Sequence, residues 1–189
     1  VGQQVNLGGT FMGVFLGFAG MEFAQVLSMS PLRSSVYSAS GSTASIASGR
    51  LSYALGLHGP SVSYDTACSA TLVAAHAGLR ALQVAECTSG LVAGVSLMLT
   101  PTVGKSFAIA GMTSACGRSQ TFDAHADGYA RSEACAAIAL GVGDGELRLD
   151  FIGSAVRQDG RSASLTAPNG QAQEWLLLAA LGDASLSIE

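Results

Sequence analysis

Charge is scarce in this chain. Only 12% of its 189 residues are Asp, Glu, Lys or Arg, and Lys105 is the single lysine; a folded domain usually carries about 25%. The nine basic residues are scattered, and no basic stripe with interleaved aromatics occurs, which argues against nucleic-acid binding. With a net charge of −4 and so few ionic groups, the chain has little surface to solvate, so it calls for large neighbouring surfaces of its own or of a partner. No apolar run reaches the ~18 residues of a membrane helix, and the first residues have neither the basic flank nor the cleavage pattern of a targeting signal. The four cysteines, Cys68, Cys87, Cys116 and Cys135, include no CxxC and no close Cys/His cluster, so neither a zinc site nor a redox pair is expected. GxSxG and HExxH are absent. Gly104-Lys105-Ser106 has Leu99 where a P-loop needs glycine, and residues 141–145 lack the GxGxxG spacing.

What remains is apolar and patterned. At 49% apolar and 189 residues, the chain amounts to one domain with a sizeable core. Residues 11–19 read as a buried strand and 21–29 as a short helix ended by Ser30-Pro31. Residues 38–45 are Ser/Gly-rich and loop-like; 43–56 read as a helix with Ile46, Arg50 and Tyr53 along one side. A strand over 62–66 leads into an Ala-rich helix over about 71–85, where Leu72, Leu79 and Leu82 recur at helical spacing. That helix is apolar around most of its circumference, which predicts full burial. A strand over 90–99 precedes a turn at Pro101, and a buried strand over 134–142 is followed by another segment over 147–156. Strands alternating with helices point to an α/β architecture.

Cys68 stands where the strand over 62–66 hands over to the helix. The first amides of a helix lack intrahelical partners, and the macrodipole adds partial positive charge there. Both stabilise a thiolate and make the cysteine a better nucleophile, and the same amides suit the oxyanion of a thioester under attack. Cys87 and Cys135 read as packing residues, and Cys116 as a loop residue. His76 is eight residues beyond Cys68, about 12 Å along the helix, and reads as packed; His58 precedes a turn and reads as surface. Asp123, Asp127, Arg131 and Glu133 form a charged cluster that reads as an internal ion-pair or turn network.

Asp65-Thr66-Ala67-Cys68-Ser69-Ala70 resembles the active-site signature of β-ketoacyl synthases, closest to the DTACSS of ketosynthase domains in type I polyketide synthases. The likeness continues through residues 45–61 before the cysteine and residues 93–99 after its helix. It extends to Thr121-Phe122-Asp123-Ala124-His125-Ala126-Asp127-Gly128-Tyr129, which is similar to the family's TFDxxADGY block. Residues 153–162 (GSAVRQDGRS) and 165–170 (LTAPNG) are similar to its GSAVNQDGRS and LTAPNG blocks. His125 falls at a variable position of the family. There are departures: Ser132-Glu133-Ala134 replaces Gly-Glu-Gly, Ser114-Ala115-Cys116-Gly117 replaces Ser-Pro-Asp-Gly, and the connection over 141–146 is short. If the family's first glycine has φ > 0, Ser132 in its place is strained.

The resemblance implies a thiolase-like αβαβα fold, incomplete here: mostly the N-terminal half with the start of the C-terminal half. It implies that residues 1–189 are an internal part of a ketosynthase domain, because the family's two histidine blocks and active-site lysine lie downstream of the matching segments. The implied reaction is a decarboxylative Claisen condensation in polyketide or fatty acid biosynthesis, with an acyl-enzyme on Cys68 and a carrier-bound malonyl-type extender. Asp159 is implied as a supporting residue, since the aspartate of that block lies near the active site in relatives. No directly bound cofactor is implied; substrates ride on the phosphopantetheine of an acyl carrier protein. The implied partners are that carrier, a second copy in a homodimer, and further domains of a multidomain synthase. The compartment expected is cytoplasmic or plastid. Two other readings compete: a non-catalytic partner protein resembling chain-length factors, against which the presence of Cys68 counts, and another thiolase-superfamily acyltransferase or a cysteine hydrolase.

Overall fold

The computed structural model describes residues 7–20, 22–31, 35–143 and 149–187. Its centre is β1 (Met12–Phe18), whose MGVFLGF run is apolar or glycine throughout. Such a run suits a strand covered on both faces, and its five middle residues are buried. β2 (Ser61–Tyr64) and β3 (Ser89–Ser96) flank β1 in parallel, and β4 (Ala134–Gly141) adds antiparallel to β3, giving the order β2-β1-β3-β4.

Two helices cover opposite faces. α3 (Ala44–Leu55) begins after the extended Thr43 and ends at Gly56, whose φ of +67° lets its amide turn back to the carbonyls of Ser52 and Tyr53. Fully buried Ser48 on α3 meets the sheet at Ser63, whose hydroxyl lies 3.1 Å from the Ser48 hydroxyl. Successive strand residues point to opposite faces, so Tyr64 projects to the other side. There it packs on the cluster of Phe15, Ala74, Ala75, Ala81, Cys87 and Val92 formed by the sheet and α4 (Ala70–Gln83). Burial pushes the Cys87 thiol up from its ordinary pKa, as befits a packing residue.

α4 lies very close to the sheet. Gly17 and Gly94 are register partners on β1 and β3. A Cβ on Gly17 would lie 2.4 Å from the Thr71 amide nitrogen, and one on Gly94 would lie 2.4 Å from Thr71 Oγ1. Only glycine at both positions seats the first turn of α4 at this depth. α4 is not buried all round, however. Its small face, Ala70, Ala74, Ala75, Gly78 and Ala81, is hidden, whereas Leu72 is 75% exposed. Close approach selects the small side chains for the sheet and turns Leu72 outward, while Leu82 packs half-buried against the core, a division that apolar periodicity alone does not reveal.

Other segments also depart from expectation. Pro101 opens a helix, α5 (Pro101–Ile109), at the first position, where its missing N–H costs nothing. β4 is exposed along nearly its whole length, and Cys135 with it, because β4 ends the sheet and α4 covers it only near Leu140. Residues 149–156 form no strand; 144–148 lie outside the described residues. Residues 38–45 include a single helical turn, α2 (Ser38–Gly41). α1 (Glu22–Met29) matches the helix expected over 21–29, apart from Met21, which is not described. α6 (Gly170–Asp183) was not foreseen from the sequence: Asn169 caps it, its side chain accepting the Ala172 amide at 3.3 Å. Among the described residues no helix is long and apolar enough to cross a membrane.

Candidate active site

The carboxyl ends of parallel strands are where open α/β sheets bind ligands, and Cys68 is four residues past the end of β2. Asp65 and Thr66 leave the strand, a 3-10 turn spans Ala67–Ser69, and α4 follows at once. Ala67 has φ +54°, the left-handed region that alanine disfavours by about 1–2 kcal/mol. The surrounding side chains hold that turn. Asp65 Oδ1 accepts the Ala67 amide at 3.3 Å, the Ser69 hydroxyl donates to the Thr66 carbonyl at 2.8 Å, and the Thr66 and Ser69 hydroxyl oxygens lie 2.8 Å apart. The Ser69 and Ala70 amides donate to the Thr66 and Ala67 carbonyls, and the Cys68 amide takes part in none of these bonds. The result is a braced, strained turn that presents an exposed cysteine.

The carboxyl ends of β1 and β3 carry a second polar cluster, of which the sequence singled out Arg131 alone. Glu22, buried at the start of α1, accepts the Thr100 amide at 2.8 Å and lies 3.8 Å from the Arg131 guanidinium. Arg131 also stacks over the Phe107 ring at 4.9 Å. A lone acid opening an apolar helix in a chain with so few charges was the available signal. The other members of the expected charged cluster bind backbone instead of each other. Glu133 accepts the Met98 amide at 2.7 Å, Asp127 the Ala115 amide at 3.2 Å, and Asp123 the His125 amide at 2.8 Å. The His125 amide, with the His125 ring 2.9 Å from Asp123 Oδ1, holds the Asp123 carboxyl below its ordinary range. Ser132 is not among the residues with positive φ, so no left-handed strain arises there.

Asp159 and Cys68 share no hydrogen bond among the described residues. Asp159 instead grips Asn169: its carboxylate accepts the Asn169 amide at 2.9 Å, and its carbonyl accepts the Asn169 side-chain amide at 3.0 Å. His76 is packed, its Nδ1 2.8 Å from the Ser154 hydroxyl, while His58 and His125 are exposed. Beside it Arg80 donates to Asp183 at 2.6 Å and to the Ser154 carbonyl at 3.0 Å, and Asp183 accepts the Ser154 amide at 2.9 Å. The Ser154 amide and Arg80 together hold the Asp183 carboxyl below its ordinary range. This cluster ties α4 to residues 153–156 and to the end of α6. Cys68 lines neither the open cleft along residues 157–162 and 164–168 nor the smaller cavity beside His76 and Arg80.

The sequence profile of the family described as "Beta-ketoacyl synthase, N-terminal domain" matches residues 3–142. The chain is 42% identical to a phenolphthiocerol/phthiocerol polyketide synthase polypeptide of Mycobacterium tuberculosis, over 97% of this chain and 9% of that protein. It is 40% identical to the pikromycin polyketide synthase component PikAII of Streptomyces venezuelae, over 98% of this chain and 5% of that protein. Its structure is similar to the ketosynthase from module 6 of the bacillaene synthase of Bacillus subtilis, with a TM-score of 0.80 and 32% identity over 95% of this chain and 31% of that one. The chain thus spans about a third of that solved structure and less than a tenth of these two curated relatives. The likeness to a ketosynthase agrees with the expected thiolase-like fold and with a piece covering its N-terminal half. All three organisms are bacteria, which leaves the plastid expectation without support.

Proposed function

Because the chain belongs to the β-ketoacyl synthase family, we propose that Cys68 is the nucleophile of a decarboxylative Claisen condensation that lengthens an acyl chain by two carbons. The Cys68 sulfur attacks the carbonyl of an acyl thioester on a carrier's phosphopantetheine. A new C–S bond forms, the carrier thiol departs with a proton, and the acyl group rests on Cys68. A malonyl-type extender then loses carbon dioxide, and the electron pair left on its α-carbon attacks the acyl carbonyl and expels the Cys68 thiolate. The Cys68 amide, outside the bonds of its own turn, is a suitable donor to the oxygen that gains charge in both attacks.

The observation that carries this reading is the braced turn: an exposed cysteine held between the carboxyl end of a parallel strand and the start of a helix seated on two glycines. Support for decarboxylation is assigned to the family's histidine blocks, which do not occur in these 189 residues. In this reading the chain is the nucleophile half of a ketosynthase domain. The exposed apolar side chains of α4 and β4, such as Leu72 and Ile138, then meet the rest of that domain. Asp159 acts indirectly, by shaping the 159–169 loop. The carrier protein and the neighbouring domains of a synthase are its partners. A second copy would add at the edge strand β2, which has a paired neighbour on one side only among the described residues.

Intact-mass labelling with an acyl thioester tests the assignment in the complete ketosynthase that contains this chain. The expected result is one acyl adduct on the wild type and none on Cys68→Ala. An adduct that survives the substitution overturns the choice of nucleophile, and a folded wild type that takes no acyl group favours the non-catalytic partner protein.

A further inference from the structure

Residues 157–162 and 164–168 line an open cleft of about 720 Å³, among them Arg157, Asp159, Arg161, Ser164 and Thr166. Two of the nine basic residues of a charge-poor chain thus fall four positions apart on one cleft. Asp159 is the only acidic residue lining it, against two arginines, and one of its carboxylate oxygens accepts the Asn169 amide. Neither arginine forms an ion pair among the described residues. Arg157 donates one bond to the Val156 carbonyl at 3.1 Å. Arg157 also stands where the otherwise similar GSAVNQDGRS block of the family has asparagine, so one of the two cations is a feature of this chain.

The cleft is shaped in advance. The two Asp159–Asn169 bonds close the neck of the loop, and Asn169 also caps α6, so the loop is anchored to a 14-residue helix. A loop held this way loses little freedom when a ligand enters. Two guanidinium groups, each a planar fork of donors, match the oxygens of a phosphate better than any neutral ligand. With two cations on the cleft and the rest of the chain poor in positive charge, the site does not suit a polyanion.

We propose that the Arg157/Arg161 cleft is a phosphate subsite that takes the phosphodiester of the phosphopantetheine arm. The identity of the ligand rests on the carrier-dependent reading above; the anion site rests on the loop itself. Free coenzyme A thioesters share the phosphate chemistry, so carrier-bound and free donors have to be compared.

The test is the rate of Cys68 acylation in the complete ketosynthase, followed by intact mass against donor concentration. The donors are an acyl carrier protein, an acyl coenzyme A, an acyl phosphopantetheine and an acyl pantetheine without phosphate. The variants are Arg157→Asn, Arg161→Ser and the double substitution, all at exposed positions. In the double variant the half-saturating concentration of acyl phosphopantetheine is expected to rise about tenfold, the scale of losing charge-assisted hydrogen bonds. That of acyl pantetheine and the maximal rate with either donor stay unchanged. A rise with acyl coenzyme A but not with acyl carrier protein overturns the assignment to the carrier's arm. Equal changes with and without phosphate, or none, overturn the subsite. If no donor acylates Cys68, the functional reading fails separately, and calorimetry with phosphopantetheine decides the subsite: binding weakened in the double variant supports it, and absence of binding to the wild type overturns it.

Discussion

Among the described residues, the stretch from β1 to β3 hides eleven of the twelve buried apolar side chains, while everything after β3 hides one, Ala172. The first region is held by apolar packing: Phe15 and Val92 against the alanine face of α4, with glycines bringing helix and sheet together. The second is held by the β3–β4 ladder and, outside it, by polar bonds at a few points. Arg131 reaches Glu22, Glu133 reaches Met98, and Asp183 grips Ser154 and Arg80. Meanwhile Phe122 and Leu165 are fully exposed. Cys68 belongs to the first region. The nucleophile proposed at Cys68, which would have to sit within a fraction of an ångström of its place, is better set on a close-packed platform than on exposed tethers.

Truncation separates the two regions most strongly. Phe15→Ala is expected to cost about 3–5 kcal/mol in urea unfolding, whereas Phe122→Ala and Leu165→Ala stay within about 0.5 kcal/mol; similar costs for all three would erase the distinction. Next come the platform glycines. Gly17→Ala should cost about 3 kcal/mol by overpacking, and Gly94→Ala somewhat less. Thr71→Ala should recover most of the loss at Gly94, where the clash is with the Thr71 side chain, and none at Gly17, where it is with backbone. Recovery at both positions would mean that the helix, not the side chain, gives way.

Ala67→Gly carries a smaller effect of the opposite sign. Relief of the left-handed strain outweighs the extra freedom of glycine in the unfolded chain, for a net gain of about 0.5 kcal/mol. A loss would mean that the turn is not strained. The smallest effect is that of pH on the second region. The Asp183 carboxyl lies below its ordinary range when folded, so its contribution is fully present above the unfolded carboxylate pKa and disappears as pH falls through the lower folded value. Trp175, the only tryptophan, sits on α6 and reports this by fluorescence. The acid transition is expected to lose its Asp183 component in Asp183→Asn, and an unchanged transition would assign it to other carboxyls.

The region that packs was also the region legible in sequence. The strand over 11–19, the helix over 43–56 and the strand before Cys68 all emerged within two or three residues, because apolar runs and the stop at Gly56 report burial directly. The placement of Cys68 at a strand-to-helix junction followed from the same signals. Beyond β3, apolar residues no longer mean buried residues. The run AIALG in β4 looks like a core strand yet lies open except at Leu140, and Pro101 begins a helix although the same residue also suits a turn. α6 escaped because its apolar residues encircle it and Asn169, the capping signal, was absorbed into the LTAPNG block. The left-handed Ala67 left no trace in the sequence, since nothing in alanine itself announces φ > 0.

The central position of β1 also has a consequence in time. Its ladder partners are β2 and β3, and Met12 waits for Ser89, more than seventy residues further along the chain. At a synthesis rate of about 5–20 residues per second, the uncharged run from Met12 to Phe18 stays without its β3 partner for roughly 4–15 seconds on the ribosome. Through that interval it is a short, β-prone apolar segment of the kind that seeks other chains. Ribosome-bound chains whose emerged part ends before Ser89 should therefore be captured by a general chaperone, and those exposing all of β3 should not; equal capture of both would place the vulnerable interval elsewhere.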